Sequence, residues 1–165
     1  MKVLVATGSK YGSTREIGAA IGEVLDEAGF EVEVQDAADV LSVHYYDAVV
    51  VGSAVYGGLW RRDASELVRD HMIELRRREV YMFSVGMETV VRPGQKLDEA
   101  DGLARDVGAK THQRFPGALE YDHLNVGEKA IIRALNPPRG DFRDFAAVRN
   151  WADQVASELR AVAAV

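Results

Sequence analysis

Four apolar residues, Val3-Leu4-Val5-Ala6, run without a break into Thr7-Gly8-Ser9-Lys10-Tyr11-Gly12-Ser13-Thr14-Arg15-Glu16. That polar stretch leads into a stripe of Ile17, Ile21, Val24, Leu25 and Ala28, which Gly29 ends. The order is buried strand, tight turn and surface helix, the opening of a βα unit. The alternation continues along the chain. Strands are predicted at 3–6, 32–34, 48–51, 80–85 and 118–124, and the continuous apolar ones suit a sheet covered on both faces. Ala64, Leu67, Val68, His71, Met72 and Leu75 form the stripe of a single predicted helix. Leu97, Ala100, Ala104 and Val107 mark another, and Val148, Trp151, Ala152, Val155 and Leu159 a closing one. With no repeat and no linker, residues 1–165 read as one α/β domain. The expected architecture is a doubly wound, five-stranded parallel sheet of order 2-1-3-4-5, with helices on both faces.

A glycine-bearing turn between a first strand and a first helix is where such a fold holds a phosphate. The first N–H groups of the helix carry its positive dipole end, and glycine lets backbone approach an anion. Ser9, Ser13 and Thr14 add hydroxyl donors, beside Lys10, Tyr11 and Gly12. Four patterns compete for the position. A P-loop needs a lysine directly before Ser or Thr at the end of G-x-x-x-x-G-K-[ST], and neither Ser13 nor Thr14 is preceded by one. The dinucleotide G-x-G-x-x-G is absent, although Asp36 stands near the place of a ribose-binding acid. Thr7-Gly8 and Gly12 match part of the short-chain dehydrogenase turn, but Thr14 replaces its last glycine and none of the six tyrosines has lysine four residues on. The remaining pattern, [ST]-x-x-G-x-T-x-E, is met by Ser9, Gly12, Thr14 and Glu16. Its usual ligand is the 5′-phosphate of FMN.

Two further loops fall at the same end of the predicted sheet. Ser53-Ala54-Val55-Tyr56-Gly57-Gly58 follows the third strand and leads to Leu59-Trp60. Small residues there let backbone groups reach the edge of a flat ring, while Tyr56 or Trp60 can cover its face. The alternative is a loop whose aromatics cap the core. Ser84-Val85-Gly86-Met87-Glu88-Thr89, after the fourth strand, is expected on the other side of the ring and offers no aromatic to sandwich it.

Composition removes several classes of function. There is no cysteine, so disulfides, thiolate metal sites and cysteine nucleophiles are excluded, and the four histidines show no metal-ligand spacing. A net charge of −6 argues against a general nucleic-acid binder. The one basic run, Arg76-Arg77-Arg78, suits the C-terminal turn of a helix. His71 and Trp151, on helical apolar stripes, read as core or boundary residues. Met1-Lys2 enters a strand directly and no apolar run approaches a membrane span, which leads to the expectation of a cytoplasmic protein.

Along nearly its whole length the chain resembles the flavodoxin-like superfamily. Within it, the chain is similar to the branch of menaquinone-dependent protoporphyrinogen IX dehydrogenases. The residues that carry the resemblance are Ser9, Gly12, Thr14-Arg15-Glu16, Tyr46 to Ser53, Tyr56-Gly57, Phe83-Ser84-Val85, Gly117-Ala118-Leu119 and the closing helix with Trp151. The resemblance implies an FMN-dependent oxidoreductase, passing electrons from a reduced tetrapyrrole to a quinone in haem biosynthesis. The branch carries a long basic and aromatic insertion after its fifth strand, whereas only Asn125 to Asp144 stands there in this chain. Within that segment 126–135 is amphipathic, suited to packing under a loop or to contact with a quinone, a membrane surface or a partner. Two other readings stay open: an FMN electron carrier serving redox partners, and a cofactor-free interaction module. No catalytic side chain and no metal ligand is singled out.

Overall fold

A computed structural model of the protein describes residues 1–87, 94–119, 124–136 and 139–165. Strand β1 (Lys2–Gly8) is followed by helix α1 (Ser13–Glu27) and strand β2 (Glu31–Asp36). After a short 3-10 turn (Ala37–Asp39) come β3 (Ala48–Tyr56), β4 (Leu59–Trp60), α2 (Arg62–Asp70), α3 (Met72–Leu75) and β5 (Glu79–Gly86). Then follow α4 (Asp98–Val107), β6 (His112–Pro116), β7 (Ala118–Leu119), α5 (Val126–Leu135), β8 (Gly140–Asp141) and α6 (Phe145–Ala163).

Five parallel strands lie in the order β2-β1-β3-β5-β6, the doubly wound arrangement expected from the alternating pattern. Val3 to Ala6 and Ala48 to Val51 are fully buried, because helices cover both faces of these central strands. On one face α1 and α6 pack through Ile17, Ile21, Leu25, Val148, Trp151 and Val155 onto Val5, Val50, Phe83 and Phe115. On the other, α2, α3 and α4 pack through Leu67, Val68, Leu75, Leu97 and Val107 onto Leu4, Val49, Val51 and Met82. Each such fully buried side chain contributes about 1.5 to 3 kcal/mol of transfer free energy.

The structure corrects two element assignments. The fifth strand of the sheet is His112–Pro116, not 118–124. Among the described residues it is an edge strand pairing only with β5, and only Phe115 in it is fully buried, so it never needed the apolar run that central strands show. Ala118–Leu119 pairs antiparallel with β8 in a separate small ribbon, and residues 120–123 lie outside the described ones. The apolar stripe from Ala64 to Leu75 is likewise divided. His71 caps the end of α2 and the start of α3, with φ −110° and ψ 20°, so two short helices share the stripe. Its ring is partly exposed, with Nδ1 3.7 Å from Glu74.

Candidate functional site

The register of the sheet aligns the C-terminal ends of its strands. Gly8 lies beside Ser53, Ser53 beside Ser84, and Val85 beside Phe115. The strand order reverses between β1 and β3, and the crevice at such a reversal is the general ligand position of open parallel sheets. A cavity of about 800 Å³ opens there, within the size range of small-molecule sites.

Three segments read from the sequence meet on this cavity. Lys10, Ser13 and Thr14 line it from the first loop, Ala54, Val55, Tyr56, Gly57 and Gly58 from the second, and Val85, Gly86 and Met87 from the third. Glu88 and Thr89 lie outside the described residues. The other candidates stand just behind this lining. Ser9 Oγ accepts the Gly12 N–H at 3.0 Å and closes the first loop. Gly12 caps α1 with φ 89°, a left-handed conformation that strains any residue with a Cβ. Tyr11 O–H donates to Glu128 at 2.7 Å. Ser53 Oγ donates to Ala54 O and accepts the Arg61 N–H, each at 2.8 Å, so its hydroxyl holds the second loop together.

Thr14 is fully buried, lines the cavity and has no hydrogen-bond partner for its hydroxyl among the described residues. It belongs to the first turn of α1, whose leading N–H groups have no intrahelical acceptor. A buried, unpaired hydroxyl beside a helix N-terminus suits an anionic ligand group. Gly57 and Gly58, with φ 58° and 81°, form the two-residue turn of the β3–β4 hairpin, in which both positions need positive φ. The hairpin returns Trp60, which is buried, alongside Val55 of β3.

Ser84 faces the opposite way. Trp60 Nε1–H donates to Ser84 Oγ at 2.7 Å, Ser84 Oγ stands 2.6 Å from His112 Nε2, and His112 Nδ1 stands 2.7 Å from Asp101 Oδ1. Since the Asp101 carboxylate only accepts, Nδ1 carries the proton of the neutral imidazole, and Nε2 then accepts from the Ser84 hydroxyl. The chain of bonds has the order of an acyl-transfer triad. Ser84, however, is buried beneath Trp60 and is not among the residues lining the cavity, so the network anchors the hairpin rather than presenting a nucleophile.

Sequence reasoning missed the outer wall. Leu119, Leu124, Ile131, Ile132 and Leu135 line the cavity, the last three from α5. Val126, Ile131 and Leu135 remain 86%, 59% and 65% exposed, and no residue of α5 is fully buried. Asn125 and Glu128 form a capping box at its start, a signal the sequence does carry. Glu128 also receives Lys10 Nζ at 2.6 Å, which ties α5 to the first loop. Burial pushes the Glu128 carboxyl up, but the bonds from Lys10 and Tyr11 outweigh it and hold it below the usual carboxylate range. Arg61 is a further lining residue, and its positive charge partly offsets the burial that raises the Tyr56 phenol. Behind the loop, Arg143 donates to Ser13 O at 3.2 Å and Glu16 Oε2 at 2.6 Å, while also holding Asp141. Among the described residues no cluster of His, Asp and Glu could hold a metal ion, and no helix is long and apolar enough to cross a membrane.

A family profile described as a flavodoxin domain matches residues 4–145. The chain belongs to the flavodoxin domain family. It is 24% identical over 174 aligned residues to protoporphyrinogen IX dehydrogenase (quinone) of Escherichia coli strain K12, an alignment that covers 99% of this chain and 95% of that protein. Among solved structures, a flavodoxin from the domain Archaea is similar with a TM-score of 0.61 and 16% identity, covering 97% of this chain and 99% of that one. Oxidised flavodoxin 1 of Bacillus cereus is similar with a TM-score of 0.56 and 21% identity, covering 70% and 84%. These structural likenesses carry the fold. The flavodoxin fold is one with the capacity to bind FMN, and the distant similarity is to a quinone-dependent oxidoreductase.

Proposed function

We propose that the protein binds FMN and transfers electrons through it between redox partners. The observation that carries this reading is the fully buried, unpartnered Thr14 hydroxyl on the wall of a large cavity at the β1–β3 reversal. The residues fit the group: donors cluster at one end, and small and apolar residues flank the rest. The first loop and the start of α1 would hold the phosphate. Ala54 to Gly58 and Val85 to Met87 would hold the ring. When bound, FMN supplies one-electron and hydride chemistry, and the protein supplies placement and electrostatics. Ile131, Ile132 and Leu135 give one side of the cavity an apolar, partly exposed wall against which an uncharged part of the ligand would lie. No acid or base of this chain is assigned a proton-transfer step.

A second reading is dehydrogenation of protoporphyrinogen IX with a quinone acceptor. It is favoured by the end-to-end similarity to the Escherichia coli enzyme and by the apolar outer wall, a surface suited to a flat, greasy substrate. Absorption spectra of the purified protein before and after added FMN test the cofactor. A shifted, saturable flavin spectrum is expected, and a spectrum identical to free FMN would refute binding. Reductive titration and turnover with protoporphyrinogen plus a menaquinone analogue then separate the two readings. A carrier exchanges electrons singly with a reductase and shows no turnover, whereas the enzyme turns over.

A further inference from the structure

Three charged side chains among the described residues line the cavity: Lys10, Glu128 and Arg61. Lys10 and Glu128 are paired with one another at 2.6 Å. Arg61 has no carboxylate partner among the described residues, and its Nε is buried without a hydrogen bond. An unpaired guanidinium nitrogen removed from water is costly, so its presence on a cavity wall points to an anion from outside the chain. The root of the side chain is fixed. Arg61 N–H donates to Ser53 Oγ at 2.8 Å and Ala54 O at 3.3 Å, and its side chain is not used to cap α2. A Cβ placed on Gly8 would lie 3.0 Å from Arg61 Cβ, so the root of the arginine sits beside the backbone that enters the first loop. The charge also reaches Tyr56, another residue of the cavity lining.

We propose that Arg61 is the counter-charge of the phosphate monoester, binding it opposite the N-terminal turn of α1. The inference rests on the FMN reading for the identity of the ligand, but the anion site follows from Arg61 itself. The phosphate is favoured over the ring edge because it is the charged group of FMN and matches an unpaired guanidinium, whereas the oxidised ring is neutral. Guanidinium matches phosphate oxygens with two parallel N–H donors, which lysine cannot reproduce.

The test compares wild type, Arg61→Gln and Arg61→Lys by isothermal titration with FMN and with riboflavin, which lacks the phosphate. Arg61→Gln is expected to weaken FMN by about 10- to 100-fold, the range of a lost hydrogen bond to a charged group, and riboflavin less than about twofold. Arg61→Lys, which also covers failure of the glutamine variant to fold, should fall between. Equal losses for both flavins, or no loss for FMN, would overturn the proposal. A second arm measures the thermal shift of the flavin-free protein with inorganic phosphate against chloride at equal ionic strength. Stabilisation of wild type but not of the variant supports the anion site even if neither flavin binds, in which case only the FMN reading fails. No phosphate effect on wild type together with no flavin binding overturns both.

Discussion

At the scale of single residues, Thr14 concentrates the argument. Its hydroxyl is enclosed and unpaired, so removing it leaves nothing behind that needs a partner. Thr14→Val, nearly the same shape, is therefore expected to leave the fold intact while weakening FMN by about 1 to 3 kcal/mol, checked by equilibrium dialysis. An unchanged dissociation constant would remove Thr14 from the site. The residues behind the cavity behave in the opposite way. Ser84→Ala strips the acceptor from the Trp60 indole and the proton from His112, two buried partners at once. It should cost about 1 to 3 kcal/mol of stability in urea unfolding, with a smaller effect on riboflavin binding than on the midpoint. Thr14 was legible from sequence because its spacing from Ser9 and Gly12 follows a loop pattern. Arg61 and the Asp101–His112–Ser84–Trp60 network were not legible, since they join residues from four different segments and no local pattern records such a meeting.

Among the described helices, α5 is lightly secured. It packs no fully buried residue, and its link to the first loop runs through Glu128, Lys10 and Tyr11. The Glu128 carboxyl lies below its ordinary range and the Lys10 ammonium above its own, chiefly through the bond to Glu128. A depressed carboxylate contributes above its unfolded value and ceases to contribute as pH falls through its folded one, whereas a raised ammonium contributes until pH rises through its folded value. The tether should thus hold across neutral pH and release below the carboxylate range. Protection factors for hydrogen exchange across 126–135, the measured rates divided into the intrinsic ones at each pH, are expected to fall on acidification in wild type and to be low already in Glu128→Gln at neutral pH. Equal protection factors in the two proteins at neutral pH would show that the tether does not hold α5. The amphipathic pattern of this segment was visible in the sequence, but its place on the cavity was not, because that depends on a contact spanning more than a hundred residues. Strand β6 escaped for a different reason. Edge strands need little apolar surface, and the more apolar Ala118-Leu119 drew the assignment past Gly117.

For the molecule as a whole, the parallel sheet and its order follow from alternation, because right-handed crossovers leave few ways to arrange such units. The cavity then appears at the one place where the strand order turns. If FMN binds only the folded chain, a hundredfold excess over its dissociation constant adds about 2.7 kcal/mol to stability. For a chain of this size that raises the melting temperature by about 5 to 10 °C, readable in a thermal scan. No shift would mean that FMN does not select the folded state.

The chain's two indoles lie on opposite sides of the sheet, Trp151 in the aromatic cluster with Phe83 and Phe115, and Trp60 in the other hydrophobic layer. Each is thus a separate optical reporter. In Trp151→Phe, the remaining emission reports on the Trp60–Ser84–His112 network that anchors the hairpin. In Trp60→Phe, it follows the opposite hydrophobic layer, so local loosening of the hairpin and global melting can be watched as two independent signals from one polypeptide.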